Sequence, residues 1–163
     1  MKPDWTKFKL RIPIRAKVKD IYEAISTATG IERWFLSNAE FTMPEGETRD
    51  RHDRVEAGDA YRWEWFGFQG GSPEEGEVLG ADGSTHIRFT FSAGCIVTIS
   101  IGSEGGETLV ELVQENIPED ENLGVYLGCS TGWLFYLTNL KSILEGGIDL
   151  RNKNPELSDV INA

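Results

Sequence analysis

The chain has 163 residues, 39% hydrophobic and 26% charged, enough for one domain to bury its own core without staples. Its formal net charge of -11 repels phosphate backbones and excludes nucleic acid as a partner class. Two cysteines, Cys95 and Cys129, are too few for a disulfide framework, and no apolar run reaches the ~20 residues of a bilayer span.

Met1-Lys2-Pro3-Asp4-Trp5 holds no apolar run of the signal-peptide kind, so a cytoplasmic chain with no membrane partner is expected. From Trp5 to Ile14 the pattern alternates: Phe8, Leu10, Ile12 and Ile14 share one face, and Lys7, Lys9 and Arg11 the other. That period predicts a half-buried strand, in which Pro13 marks an edge position or a local break. The basic run through Lys19 reads as one solvated edge, or as a face that docks on an acidic partner.

Val18, Ile21, Tyr22 and Ile25 keep helical spacing and predict a short amphipathic helix. Ser26 to Gly30 interrupts it, and Ile31 to Phe35 resumes as a second short helical piece. Residues 37–43 fit a strand. Residues 44–58 carry mixed charges at a density that predicts a solvated, mobile loop. Five strands are expected at 59–66, 75–80, 84–91, 94–102 and 107–115, with Asp82-Gly83 and Gly105-Gly106 at the tight turns. A long helix over 120–145 follows, with Glu119, Asp120 and Glu121 at its positive end and Gly146-Gly147 closing it. Residues 1–149 read as one domain and 150–163 as a tail.

A strand, two short helices, a meander and a long C-terminal helix resemble the START-like (SRPBCC) helix-grip superfamily, the birch-pollen-allergen-like fold. Trp34-Phe35 resembles the family's aromatic pair after the helices. Asp53 with Gly58 and Tyr61 resembles the entry to the third strand, although Ala57-Gly58 stands where a double glycine is usual. Gly76-Glu77-Val78-Leu79 and Thr108, Val110 and Leu112 resemble two later strands. Gly132-Trp133, Leu137, Leu140-Lys141, Leu144-Glu145 and Gly147 look like the helix of the branch related to the C-terminal domain of the heat-shock-protein-90 ATPase activator. Two departures stand out: Arg15-Ala16-Lys17 replaces a proline-bearing stretch, and Gln114 stands where a histidine is common. The resemblance implies an α+β fold, with a curved antiparallel sheet of six or seven strands wrapped around the long helix. It transfers fold better than activity.

Alternation places Tyr61, Trp63 and Trp65 on one strand face, and Ile87, Phe89 and Phe91 on another. Tyr126, Ser130, Trp133 and Leu137 oppose them from the helix. Two readings of this interior stay open. In one it is an apolar ligand cavity contacted by Trp34, Phe35, Tyr61, Trp63, Trp65, Phe89, Phe91, Gln114, Tyr126, Ser130, Trp133 and Leu137, with the loop 44–58 and Trp34-Phe35 as its gate. In the other the aromatics pack against one another and fill it. Gly132 is expected to permit close approach of the sheet or the Trp34-Phe35 segment, and Trp133 to be a core anchor. His52 and His86 have no nucleophile beside them in the pattern, Asp50, His52 and Asp53 match no metal-ligand spacing, and Cys129 reads as packing. No catalytic residue, metal or cofactor is assigned. An apolar or aromatic small-molecule binder is the leading reading. A module acting on a chaperone or other protein partner is the second, and a small cyclase- or hydrolase-like enzyme the third. Monomer and homodimer are both open.

Overall fold

Over residues 1–67, 71–119 and 123–161, which the computed structural model describes, the elements run β1 (Phe8–Pro13), α1 (Val18–Ser26), α2 (Ala28–Glu32), β2 (Asn38–Thr42), β3 (Ala60–Glu64), β4 (Glu74–Ala81), β5 (His86–Phe91), β6 (Cys95–Glu104), β7 (Glu107–Glu115) and α3 (Gly124–Leu144). The strands form one antiparallel sheet in the order β1-β7-β6-β5-β4-β3-β2. Because two helices follow β1, that strand cannot make a hairpin with β2. It pairs instead with the last strand, Phe8 opposite Gln114 and Ile12 opposite Val110. Pro13, which has no N–H to donate, sits at the end of this edge strand. The resulting helix-grip arrangement buries one continuous core between the sheet, the α1–α2 pair and α3.

The junction at 26–30 differs from the expectation of a break followed by a helix at 31–35. Thr27 is extended, and its hydroxyl accepts from Gly30 N at 2.9 Å, so α2 restarts at once from an N-cap. Gly30 is dictated sterically: a Cβ there would sit 2.1 Å from Glu23 O. Trp34 and Phe35 therefore lie just beyond α2 rather than inside it. Trp34 Nε1 donates to Ala24 O at 2.8 Å, which locks the turn onto α1.

The 44–58 loop is pinned rather than free. Arg49 makes two hydrogen bonds to the fully buried Asp59, at 2.5 and 2.9 Å. Arg51 pairs with Glu32, Arg54 with Glu23 at 2.7 Å, and Val55 N donates to Ser26 O at 2.8 Å. The charges that read as solvation are opposite-sign partners of the helix pair.

The long helix starts later than expected, at Gly124, behind a left-handed Leu123. Its first turn holds no acidic residue; Glu119 precedes it, and Asp120 and Glu121 lie outside the described residues. Its far end is a Schellman motif, with Gly147 N donating to Ser142 O at 2.7 Å, Gly146 N to Ile143 O at 3.2 Å, and Gly146 at φ +86°. Trp133, Leu137, Asn139 and Leu140 are its buried residues.

The segment after α3 packs back on the molecule. Asn139 Nδ2 donates to Trp34 O at 2.9 Å and to Asp149 Oδ1 at 3.0 Å, while its Oδ1 accepts from Leu150 N at 2.8 Å. Arg151 is buried and donates to Leu36 O, Glu32 O and Arg33 O at 2.9, 2.9 and 3.0 Å, and to Asp149 Oδ2 at 2.8 Å. A cation on the last carbonyls of α2 suits the negative end of that helix. Among the described residues no helix is long and apolar enough to cross a membrane.

Candidate functional site

The two readings of the interior divide the space between them. Beneath β3 and β5 it is filled: Tyr61 stacks on Trp63 with centroids 3.8 Å apart, and Trp63 meets Phe89 edge-on at 5.2 Å. Tyr61 lies across Gly76, where a Cβ would come within 2.5 Å of its ring, and its hydroxyl donates to Thr90 O at 2.6 Å. Trp63 Nε1 is buried there without a hydrogen-bond partner.

Toward the start of α3 the packing opens into a cavity of about 700 Å³. Phe35, Trp65, Phe91 and Trp133 form its walls, joined by Phe135 and Tyr136 from the next positions round the helix. Phe35 is the hub. Its ring lies 4.7 Å from Trp133, 4.9 Å from Tyr136 and 5.4 Å from Trp65. Gly128 and Gly132 supply the room: a Cβ at either would meet nothing within 4 Å. The expectation that Gly132 permits close approach is thus corrected, because open cavity lies in front of it. Gly71, Ser72, Val160 and Ile161 complete the rim. The 44–58 loop lines no part of it.

The other residues singled out in the sequence lie elsewhere. Trp34, Tyr61, Trp63, Phe89 and Leu137 are buried in the packed region, outside the lining. Tyr126 packs against Trp5 and Phe8 at 5.0 and 5.5 Å, and Ser130 Oγ donates to Leu127 O at 3.3 Å within its own helix. Gln114 is fully buried; its Oε1 accepts from Trp133 Nε1 at 2.9 Å, and its Nε2 finds no hydrogen-bond partner.

Among the described residues the polar groups on the cavity wall are Glu74, Ser72, Ser92, Cys129, Thr131 and the Tyr136 hydroxyl. Glu74 stands directly opposite Trp63 in the β3–β4 register, so it shares that residue's inward face. Its Oε1 accepts from Ser92 N at 2.7 Å. Ser92, Ala93 and Gly94 form the β5–β6 turn, all at positive φ (33°, 52° and 81°), and this turn aims the Ser92 N–H back across the sheet. Burial pushes the Cys129 thiol up and the Tyr136 phenol up to about 12, so both are neutral in the physiological range. Among the described residues the wall therefore holds one carboxylate beside neutral donors and rings. His52 and His86 line no part of it, and among the described residues no group of three or more His, Cys, Asp or Glu is placed to hold a metal ion.

Glu74 was legible in principle. Counting back by twos from the inward Val78 through Gly76 reaches it, a step that the apolar search for a core passes over. Phe135, Tyr136 and the two glycines share a helical stripe one step round from Trp133. Val160 and Ile161 carry no such signal.

No curated protein matches the chain. Solved structures do. A protein from Staphylococcus saprophyticus is 18% identical with a TM-score of 0.69, over 89% of this chain and 96% of that one. The Aha1 dimer from Colwellia psychrerythraea is 20% identical with a TM-score of 0.66, over 86% and 97%. A Chromobacterium violaceum protein is 22% identical with a TM-score of 0.62, over 88% and 99%. These likenesses carry the fold. Residues 15–145, from the end of β1 to the cap of α3, match the family described as "Activator of Hsp90 ATPase homolog 1-like protein", and the chain belongs to that family.

Proposed function

We propose that this protein is a small-molecule binding domain that holds an apolar or aromatic guest between the open end of the sheet and the first half of α3. The observation that carries this is the cavity of about 700 Å³, walled among the described residues by six aromatic side chains and adjoining a packed aromatic cluster at Tyr61, Trp63 and Phe89. A void of this size lies in the range of ligand sites, and rings with a few placed polar groups are the usual lining. Affinity would come mainly from area, at about 25 cal/mol per Å² of apolar surface buried. The two glycines on α3 support the same reading, since each forgoes roughly 1 kcal/mol of helix propensity and leaves space at the wall. Native mass spectrometry of the purified protein tests for a co-purifying guest. Titration with aromatic acids, flavonoids, sterols and fatty acids should quench Trp65 and Trp133 and raise the melting temperature for at least one class. Unchanged emission and melting across the whole panel would remove this reading.

A second reading has its own support. The outward face of α3 presents Leu127 and Leu134, 51% and 58% exposed, and the helix carries a single charged residue, Lys141. On a chain of net charge -11, this is a face where a protein partner meets no like-charge repulsion. The chaperone activator in the family's name and the dimeric Colwellia neighbour suggest two kinds of partner. Leu134→Glu should then break the association while leaving guest binding intact.

A further inference from the structure

We propose that the guest is an organic cation: a protonated or quaternary amine carried on an apolar or aromatic body. This rests on the reading of the cavity as a small-molecule site and specifies the chemistry that site selects.

The argument begins with Glu74. Among the described residues it is the one carboxylate on the cavity wall, and its place opposite Trp63 turns it inward at the lip of the sheet. Ser92 N–H fixes one of its oxygens at 2.7 Å, and among the described residues no lysine or arginine pairs with it. A carboxylate beside aromatic walls is stable while the cavity is wet. Once a guest displaces the water, that carboxylate needs a partner from the guest itself, because an unpaired charge is costly to desolvate.

The walls favour the same sign. Phe35, Trp65, Phe91 and Trp133 line the space, and the negative faces of aromatic rings attract cations. Anionic guests meet the opposite conditions. Among the described residues no lysine or arginine lines the cavity, and the buried Arg151 guanidinium, whose charge is felt at Tyr136, is engaged by Asp149 and three main-chain carbonyls. The net charge of -11 adds long-range steering of cations and repulsion of anions. A neutral guest gains from area alone and leaves the Glu74 charge without a counter-ion.

The test uses three probes with one aromatic body, titrated by calorimetry at neutral pH: naphthylmethylamine, which is protonated, naphthylmethanol and naphthoate. The amine should bind about tenfold or more tighter than the alcohol, from ion pairing and ring contact together, and naphthoate weaker than both. Glu74→Gln keeps an oxygen for the Ser92 N–H but removes the charge. It should abolish the preference for the amine, while circular dichroism shows that the variant is folded. If the alcohol binds wild type as tightly as the amine, or the preference survives Glu74→Gln, the cation assignment is wrong and the cavity remains a binder of neutral guests. If none of the three binds and the wider panel also fails, both the assignment and the small-molecule reading fall.

Discussion

Trp133→Phe should cost this protein far more than the loss of a few ring atoms, because it leaves Gln114 stranded. Trp133 is 2% exposed and its Nε1 donates to Gln114 Oε1 at 2.9 Å, while Gln114 is fully buried and its Nε2 has no hydrogen-bond partner. The thiols of Cys95 and Cys129 lie beside that amide. Full truncation of a core tryptophan costs about 3–5 kcal/mol, and retaining a phenyl ring reduces the packing part to about 1–2 kcal/mol. A buried carbonyl left unpaired adds about 1–3 kcal/mol. The sum, roughly 2–5 kcal/mol, lowers a urea midpoint by about 1–2 M at a typical slope. A double-mutant cycle separates the two parts. Gln114→Met in the wild-type background removes one orphan, Nε2, and creates another, Trp133 Nε1, so it should be close to neutral. Added to the Trp133→Phe variant, it removes an amide whose carbonyl has lost its hydrogen bond and should restore about 1–3 kcal/mol. Circular dichroism reads all four midpoints without depending on tryptophan emission. If Gln114→Met has the same effect in both backgrounds, within about 0.5 kcal/mol, the hydrogen bond is not what couples these residues.

The architecture was legible because its signals are periodic. Alternation fixed the face of β1 that turns inward, helical spacing located the buried stripe of α3, and Gly146-Gly147 marked its end. Signals that depend on tertiary partners were misread. The Arg49, Arg51 and Arg54 loop looks solvated until Asp59, Glu32 and Glu23 are brought beside it by the fold. Arg151 looks like part of a polar tail, yet it closes the end of α2 from more than a hundred residues away in the chain. The cavity illustrates a sharper limit. Composition and alternation identify which aromatics face inward, but whether those rings meet or stand apart depends on the side chains opposite them. Tyr61 and Trp63 stack because Gly76 leaves a seat for Tyr61. Trp65 and Phe91 face open space because Gly128 and Gly132 stand across from them. Glycine in a strand and glycine in a helix thus act in opposite senses, and one-dimensional pattern does not tell them apart.

Asp149 gives the fold an acid-sensitive clasp. Burial opposes its ionisation, but hydrogen bonds from Arg151, Lys153 and Asn139 outweigh that and hold its carboxyl well below the ordinary 3.8. Its folded value is the lower one, so its contribution is complete above 3.8 and is lost as pH falls below it. Melting temperature should therefore drop more steeply between about pH 4 and 2 in wild type than in Asp149→Asn, and equal slopes would show that the clasp is not coupled to folding. Gly132→Ala tests the origin of the cavity from the other side. Nothing lies within 4 Å of the added Cβ and the position is mid-helix, so the substitution should stabilise the protein by about 0.5–1 kcal/mol. Were Gly132 instead a seat for the sheet or for Trp34-Phe35, the same methyl would collide and destabilise. The methyl projects into the binding space, so guest affinity should fall as the midpoint rises. Stability and binding moving in opposite directions at one residue is what a glycine retained for its void requires. A stabilised variant that binds its guest unchanged would show that the space in front of α3 is not where the guest sits.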